Sequence, residues 1–109
     1  MVVEQAVAYQ ELPFLERLVE SLGHLAYVKR VFLFGSRVRG DHQQRSDVDL
    51  AVEYPKASVH QWQTILDLVE EAPTQLHIDC VRFEAVPSIL KQNIIKAGLP
   101  LFIQNGAGS

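Results

Sequence analysis

Val31-Phe32-Leu33-Phe34-Gly35-Ser36-Arg37-Val38-Arg39-Gly40, followed after five residues by Ser46-Asp47-Val48-Asp49-Leu50, decides the fold of this chain. Val31 to Phe34 is a short apolar run that reads as a buried strand emptying into a Gly-Ser turn. Glycine at position 35 permits close backbone approach, leaving amides and the Ser36 hydroxyl free to hold phosphate oxygens. Downstream, strand alternation places Asp47 and Asp49 on one face while Val48, Leu50 and Val52 turn to the opposite, buried side. Two rises of about 3.3 Å separate the aspartate Cα atoms, which lets both carboxylates converge on one hard cation or a bridged pair. Without a cation the arrangement is costly, because neighbouring anions repel. Magnesium is the expected occupant. It takes one or two carboxylates plus substrate phosphates, whereas calcium needs more oxygen ligands than this segment offers.

The charge around the turn is local. Lys29, Arg30, Arg37, Arg39 and Arg45 are five of the ten Lys and Arg residues, in a chain whose formal net charge is −3. A pI near 5.7 argues against a general nucleic-acid coating protein, whose footprint is a basic domain. Arg37 and Arg45, with Ser46, are candidates for contact with a nucleotide; the alternatives are a solvated charge or a partner-surface contact for each arginine and, for Ser46, a loop cap or a hydrogen bond that orients the following strand. Gly35 and Gly40 also meet the glycine spacing of a P-loop. Asp41 and His42 stand where that loop needs Lys and Ser or Thr, so the P-loop reading fails.

At 109 residues, with 48% hydrophobic and 21% charged residues, the chain suits one globular domain over 1–109. The single cysteine, Cys80, excludes an internal disulfide and lies in an apolar run where a small buried residue is expected. No leader and no apolar stretch of about 20 residues is evident, so a cytoplasmic location is expected.

Pro13 suits the start of a helix that presents Phe14, Leu15, Leu18, Val19 and Leu22 before Gly23, whereas residues up to Ala8 either extend a helix or fray. Strands are predicted over Val28 to Phe34, Asp47 to Tyr54 and Leu76 to Phe83. Ser58 is a candidate N-cap for a helix that carries Trp62, Ile65, Leu66 and Val69 and closes before Pro73. Pro87 opens a last helix with an apolar seam of Leu90, Ile94 and Ala97; Leu101 to Ile103 suggests a final short strand, and the small residues 105–109 a flexible tail. Strands alternating with helices imply an α/β (α+β) fold, with helices packed against a small mixed sheet.

Asp79 interrupts the third apolar strand, sharing a face with His77 and Val81. A salt bridge to an arginine would explain it; Glu84, nearer the strand end, reads as solvated. His24, His42, His60 and His77 have no common ligand spacing. Only His77 shares a strand face with one of the candidate acids, Asp79, which leaves a supporting role behind it open beside surface or packing roles.

Gly-Ser, ten residues, then Asp-x-Asp resembles the signature of the DNA polymerase beta-like nucleotidyltransferase superfamily. The form GSRVRGDHQQRSDVDLAVE is similar to its minimal nucleotidyltransferases, the MNT proteins commonly paired with a HEPN-domain partner. The resemblance implies the nucleotidyltransferase fold, a metal site of Asp47, Asp49 and Asp79 holding one or two magnesium ions, and ATP as substrate on Gly35 and Ser36. It further implies an antitoxin that transfers AMP to a tyrosine hydroxyl of a HEPN-domain toxin. Nothing beyond Leu99 reads as a second substrate domain, so part of the acceptor site is expected from a partner. Two other readings stay open: a small-molecule (aminoglycoside-like) nucleotidyltransferase subunit, and a non-catalytic antitoxin that acts by binding.

Overall fold

The computed structural model describes residues 4–56 and 58–104, and the expected flexible tail lies outside them. The helices are α1 (Gln5–Glu11), α2 (Pro13–Gly23), α3 (Ser36–Arg39), α4 (Val59–Glu70) and α5 (Ser88–Ala97). The strands are β1 (Arg30–Phe34), β2 (Val48–Glu53), β3 (Ile78–Arg82) and β4 (Leu99–Ile103). They make one mixed sheet in the order β3-β2-β1-β4. β1 is antiparallel to β2 and to β4, and β3 runs parallel to β2. No helix among the described residues is long and apolar enough to cross a membrane.

Alternation sorts the sheet into two unlike faces. Val31, Leu33, Leu50 and Val52 point to one side and pack with Leu15, Leu18 and Leu22 of α2 and Ile65 of α4 in the main core. On the other side Phe32 and Ala51 pack with Phe83 and with Ile94 of α5 in a second, smaller cluster. The Ser58 cap of α4 forms as expected: the Gln61 amide donates to Ser58 Oγ at 3.1 Å and the Ser58 amide to Gln61 Oε1 at 3.0 Å.

Several boundaries differ from the sequence reading for physical reasons. The segment through Ala8 is helical, and Gln5 Nε2 anchors it by donating to the Leu101 carbonyl at 2.9 Å. The Gly-Ser turn continues into the four-residue α3, which Gly40 closes with φ +84°. β4 starts at Leu99 and includes Pro100; a proline lacks the ladder donor, and it is accommodated here because β4 is an edge strand whose register with β1 shifts between Val31 and Phe32.

Candidate functional site

Sheet register builds the site. On the face that carries α5, Phe34 of β1 pairs with Asp49 of β2, and Asp49 pairs with Asp79 of β3, so the two acids stand side by side in one row. The next row, Phe32, Ala51 and Val81, is covered by Phe83, Leu90 and Ile94. α5 thus shields the middle of the face and leaves the aspartate row uncovered.

A cavity of about 740 Å³ opens between that row and α5. Gly35, Ser36, Arg39, Ser46, Asp47 and Asp49 form its polar side, and Leu90, Asn93 and Ala97 of α5 contribute to the opposite wall. Gly35 has φ +81° and ψ −152°, a conformation essentially reserved for glycine. Its missing side chain also matters sterically, because a Cβ there would run into Asp49 Oδ2. Glycine is therefore required both for the turn into α3 and for the carboxylate that fills the space beside it.

Asp47 lies one residue ahead of β2, exposed, and Asp49 is half-buried. Burial first, then the neighbouring Asp79 and Asp47, push the Asp49 carboxyl above the usual aspartate range; His77 and Arg39 pull the other way. Asp79 is exposed at the side of Asp49 and is not part of the cavity lining. Among the described residues it makes no ion pair with an arginine, which leaves the salt-bridge reading without support.

The donors are hard carboxylate oxygens in a field that His77 and Arg39 offset only in part, a chemistry that suits a hard divalent cation. Among the described residues, however, no group of three His, Cys, Asp or Glu side chains is already arranged to hold an ion. The backbone aligns the acids, and like-charge repulsion opposes their closing on a common point without a cation between them.

The arginines sort differently from the sequence expectation. Arg37 is 4% exposed and absent from the cavity wall; its Nε and Nη2 donate to the Ser46 carbonyl at 3.2 and 2.9 Å, and Nη2 also donates to the Gln44 carbonyl at 3.1 Å. Arg45 is exposed beside Gln44, Gln75 and Leu76, outside the cavity. Neither guanidinium therefore faces the cavity where a nucleotide was expected to meet it. Arg39 is the arginine that lines it, with Nε 3.3 Å from Asp41 Oδ2 in an exposed pair. A four-residue helix turns successive side chains to different sides, and sequence spacing does not show which of them meets the cavity.

Ser46 does line the cavity, and its Oγ accepts from the Gln43 amide at 2.8 Å, as a loop cap would. Glu84 serves the fold elsewhere: Oε1 accepts from the Tyr54 amide at 3.3 Å and lies 3.5 Å from Arg82 Nε. Burial pushes the Cys80 thiol up to about 12, in keeping with an inert packing residue. The α5 wall was hidden in the sequence. Leu90, Ile94 and Ala97 read as a core seam, and the signal that could have marked a cavity there instead is the polar Asn93 on the same side of the helix.

The family model for "Polymerase beta, Nucleotidyltransferase" matches residues 16–107. No curated protein matches the chain. Among solved structures, a toxin-antitoxin with AMP-PNP is similar at 20% identity and TM-score 0.64, over 85% of this chain and 76% of that one. The toxin-antitoxin MntA-HepT is similar at 18% identity and TM-score 0.56, over 85% and 73%. A Sulfolobus solfataricus protein follows at 16% and 0.57, over 93% and 89%. These likenesses reflect the shared fold. The family match takes in the Gly-Ser turn, α3, the aspartate row and α5, and the chain belongs to the polymerase beta nucleotidyltransferase family.

Proposed function

We propose that this nucleotidyltransferase moves AMP from ATP to a tyrosine hydroxyl of a HEPN-domain toxin, and so acts as the antitoxin of the pair. The observation that carries the reading is the meeting, around one cavity, of Gly35 and Ser36 with Asp47 and Asp49, and Asp79 in register beside them. The fold shared with toxin-antitoxin structures, one of them with AMP-PNP, supports both the nucleotide and the partner class.

In this reading the Gly35 and Ser36 region binds the β- and γ-phosphates and aligns the α-phosphate for in-line attack. Asp47, Asp49 and Asp79 would hold magnesium, which when bound offsets charge on the triphosphate. The acceptor oxygen forms a bond to the α-phosphorus as the bond to the pyrophosphate oxygen breaks. Asp79, exposed at the edge of the row, accepts the acceptor's proton. The apolar surface of Leu90 and Ala97 excludes water from one side of the cavity.

Incubation with labelled ATP, magnesium and the product of the neighbouring gene should label that protein, and Asp47→Asn with Asp49→Asn should abolish the labelling. Label appearing only on a small alcohol would refute the protein acceptor. Protection of cells by the double variant would refute transfer as the means of neutralisation.

A further inference from the structure

We infer that Arg37 is a positioning residue that sets Asp47 from behind the site, an inference that rests on the proposed metal-dependent transfer. Arg37 is the buried charged residue of the described chain, at 4% exposure. Among the described residues no carboxylate lies within ion-pair distance of it. A buried cation without a counterion is retained only where its donors are used, and here they go to main-chain oxygens.

The acceptors explain the purpose. Two of the three hydrogen bonds end on the Ser46 carbonyl, the oxygen of the peptide group whose nitrogen belongs to Asp47. The third ends on the Gln44 carbonyl, two residues earlier. On the far side of Asp47, the Val48 amide donates to the His77 carbonyl at 2.9 Å. Asp47 is therefore held by its two flanking peptides, one tied to α3 and the other to the segment entering β3. Since α3 begins at Ser36, the guanidinium links the phosphate turn to the first carboxylate across nine residues of sequence. A planar fork can address two carbonyls at once; a lysine ammonium can supply donors from one point only.

The clamp predicts a specific defect. Loosening the Ser46–Asp47 peptide should weaken the cation site while Gly35 and Ser36 remain able to bind triphosphate. Manganese serves as the probe, titrated by electron paramagnetic resonance into the chain with a non-hydrolysable ATP analogue. Arg37→Met should weaken manganese binding about tenfold and lower kcat, with nucleotide KM changed by less than about threefold, and Arg37→Lys should recover part of the loss. A folded Arg37→Met variant that binds manganese like the parent would overturn the inference.

A measurement on the unaltered protein covers the case in which the variants do not fold. The Arg37 Nε proton should exchange slowly with solvent and keep its NMR shift when the analogue is added, while the Gly35 and Ser36 amides move. An Nε signal that moves with them would make Arg37 a phosphate ligand and sink the clamp. If instead the parent binds no manganese and the double aspartate variant transfers AMP normally, the functional reading fails. A normal, Asp-dependent parent beside an unaffected Arg37→Met isolates the failure to Arg37.

Discussion

Gly35→Ala and Gly40→Ala together separate what the fold needs from what the site needs. Both glycines have positive φ, +81° and +84°. Gly35, with ψ −152°, lies in the glycine-only region, where a side chain costs about 1–3 kcal/mol. Gly40, with ψ 7°, is left-handed helical, and alanine there costs about 1–2 kcal/mol. For a chain of this size either cost lowers Tm by roughly 4 °C or more per kcal/mol. The steric consequences differ. A Cβ at Gly40 meets nothing within 4 Å, whereas at Gly35 it meets Asp49 Oδ2. The end of a flexible side chain can rotate away for about 0.5–1.5 kcal/mol, so the clash adds little to instability. It removes the carboxylate from its place, and a misplacement of about 1 Å can cost on the order of 10²-fold in rate. Thermal melts and a labelled-ATP transfer assay at a temperature where both variants are folded should show comparable losses of Tm. Transfer should fall about 10²-fold or more for Gly35→Ala and stay within a few-fold for Gly40→Ala. Equal transfer by the two variants would refute the role given to Asp49.

Three other outcomes follow from the geometry. The Asp49 carboxyl is raised by burial and by Asp79 and Asp47, so its proton is held more tightly in the folded chain than in the unfolded one. That contribution is complete below the ordinary aspartate pKa of about 3.9 and is lost as pH rises through the raised folded value, so ionised Asp49 opposes folding at neutral pH. In chelator, Asp49→Asn should melt higher than the parent at pH 7, with the gap closing on acidification; a gap that widens in acid would contradict the assignment. Asp79→Asn should reduce kcat by about 10²–10⁴-fold with little change in nucleotide KM, read from steady-state kinetics. Ser58→Ala removes the α4 cap and should cost about 0.5–2 kcal/mol in denaturant titration without altering transfer.

The parts of the fold legible in sequence were those whose local pattern has a single physical solution. Leu15, Leu18, Val19 and Leu22 recur at helical spacing and form the buried stripe of α2, and Ser58 with Gln61 makes the cap of α4. Alternation around Asp79 led to the right face of β3, where pairing with Asp49 completes the row. Legibility ended where tertiary placement chooses among equals. Arg37, Arg39 and Arg45 are chemically alike in sequence, yet the first is buried in the loop, the second lines the cavity and the third faces elsewhere. Likewise Leu90 and Ala97 satisfy the same helical seam whether they face a core or a cavity. Pro100 looks incompatible with a strand until β4 is known to be an edge.

The two ends of the α5-bearing sheet face bear on the role proposed for the aspartate row. At one end Arg30 pairs in register with Glu53, and the structure satisfies both, with Arg30 Nε 2.6 Å and Nη2 3.0 Å from the two carboxylate oxygens. The guanidinium also lies over the rings of Phe32 and Phe83, so this end is neutral, packed and bidentate. At the other end two carboxylates occupy adjacent strands in register, with Asp47 adding to the same field. Like charges placed directly across a sheet are destabilising. Between them the middle row is apolar and covered by α5, so neither end is forced by the packing of the centre. The same sheet therefore holds a paired row and one in which like charges adjoin, offset only in part by His77 and Arg39, and only the second opens into the cavity beside Gly35 and Ser36. In the proposed reading, the divalent cation that accompanies the nucleotide would supply the positive charge this end of the sheet lacks beside the Gly35–Ser36 turn.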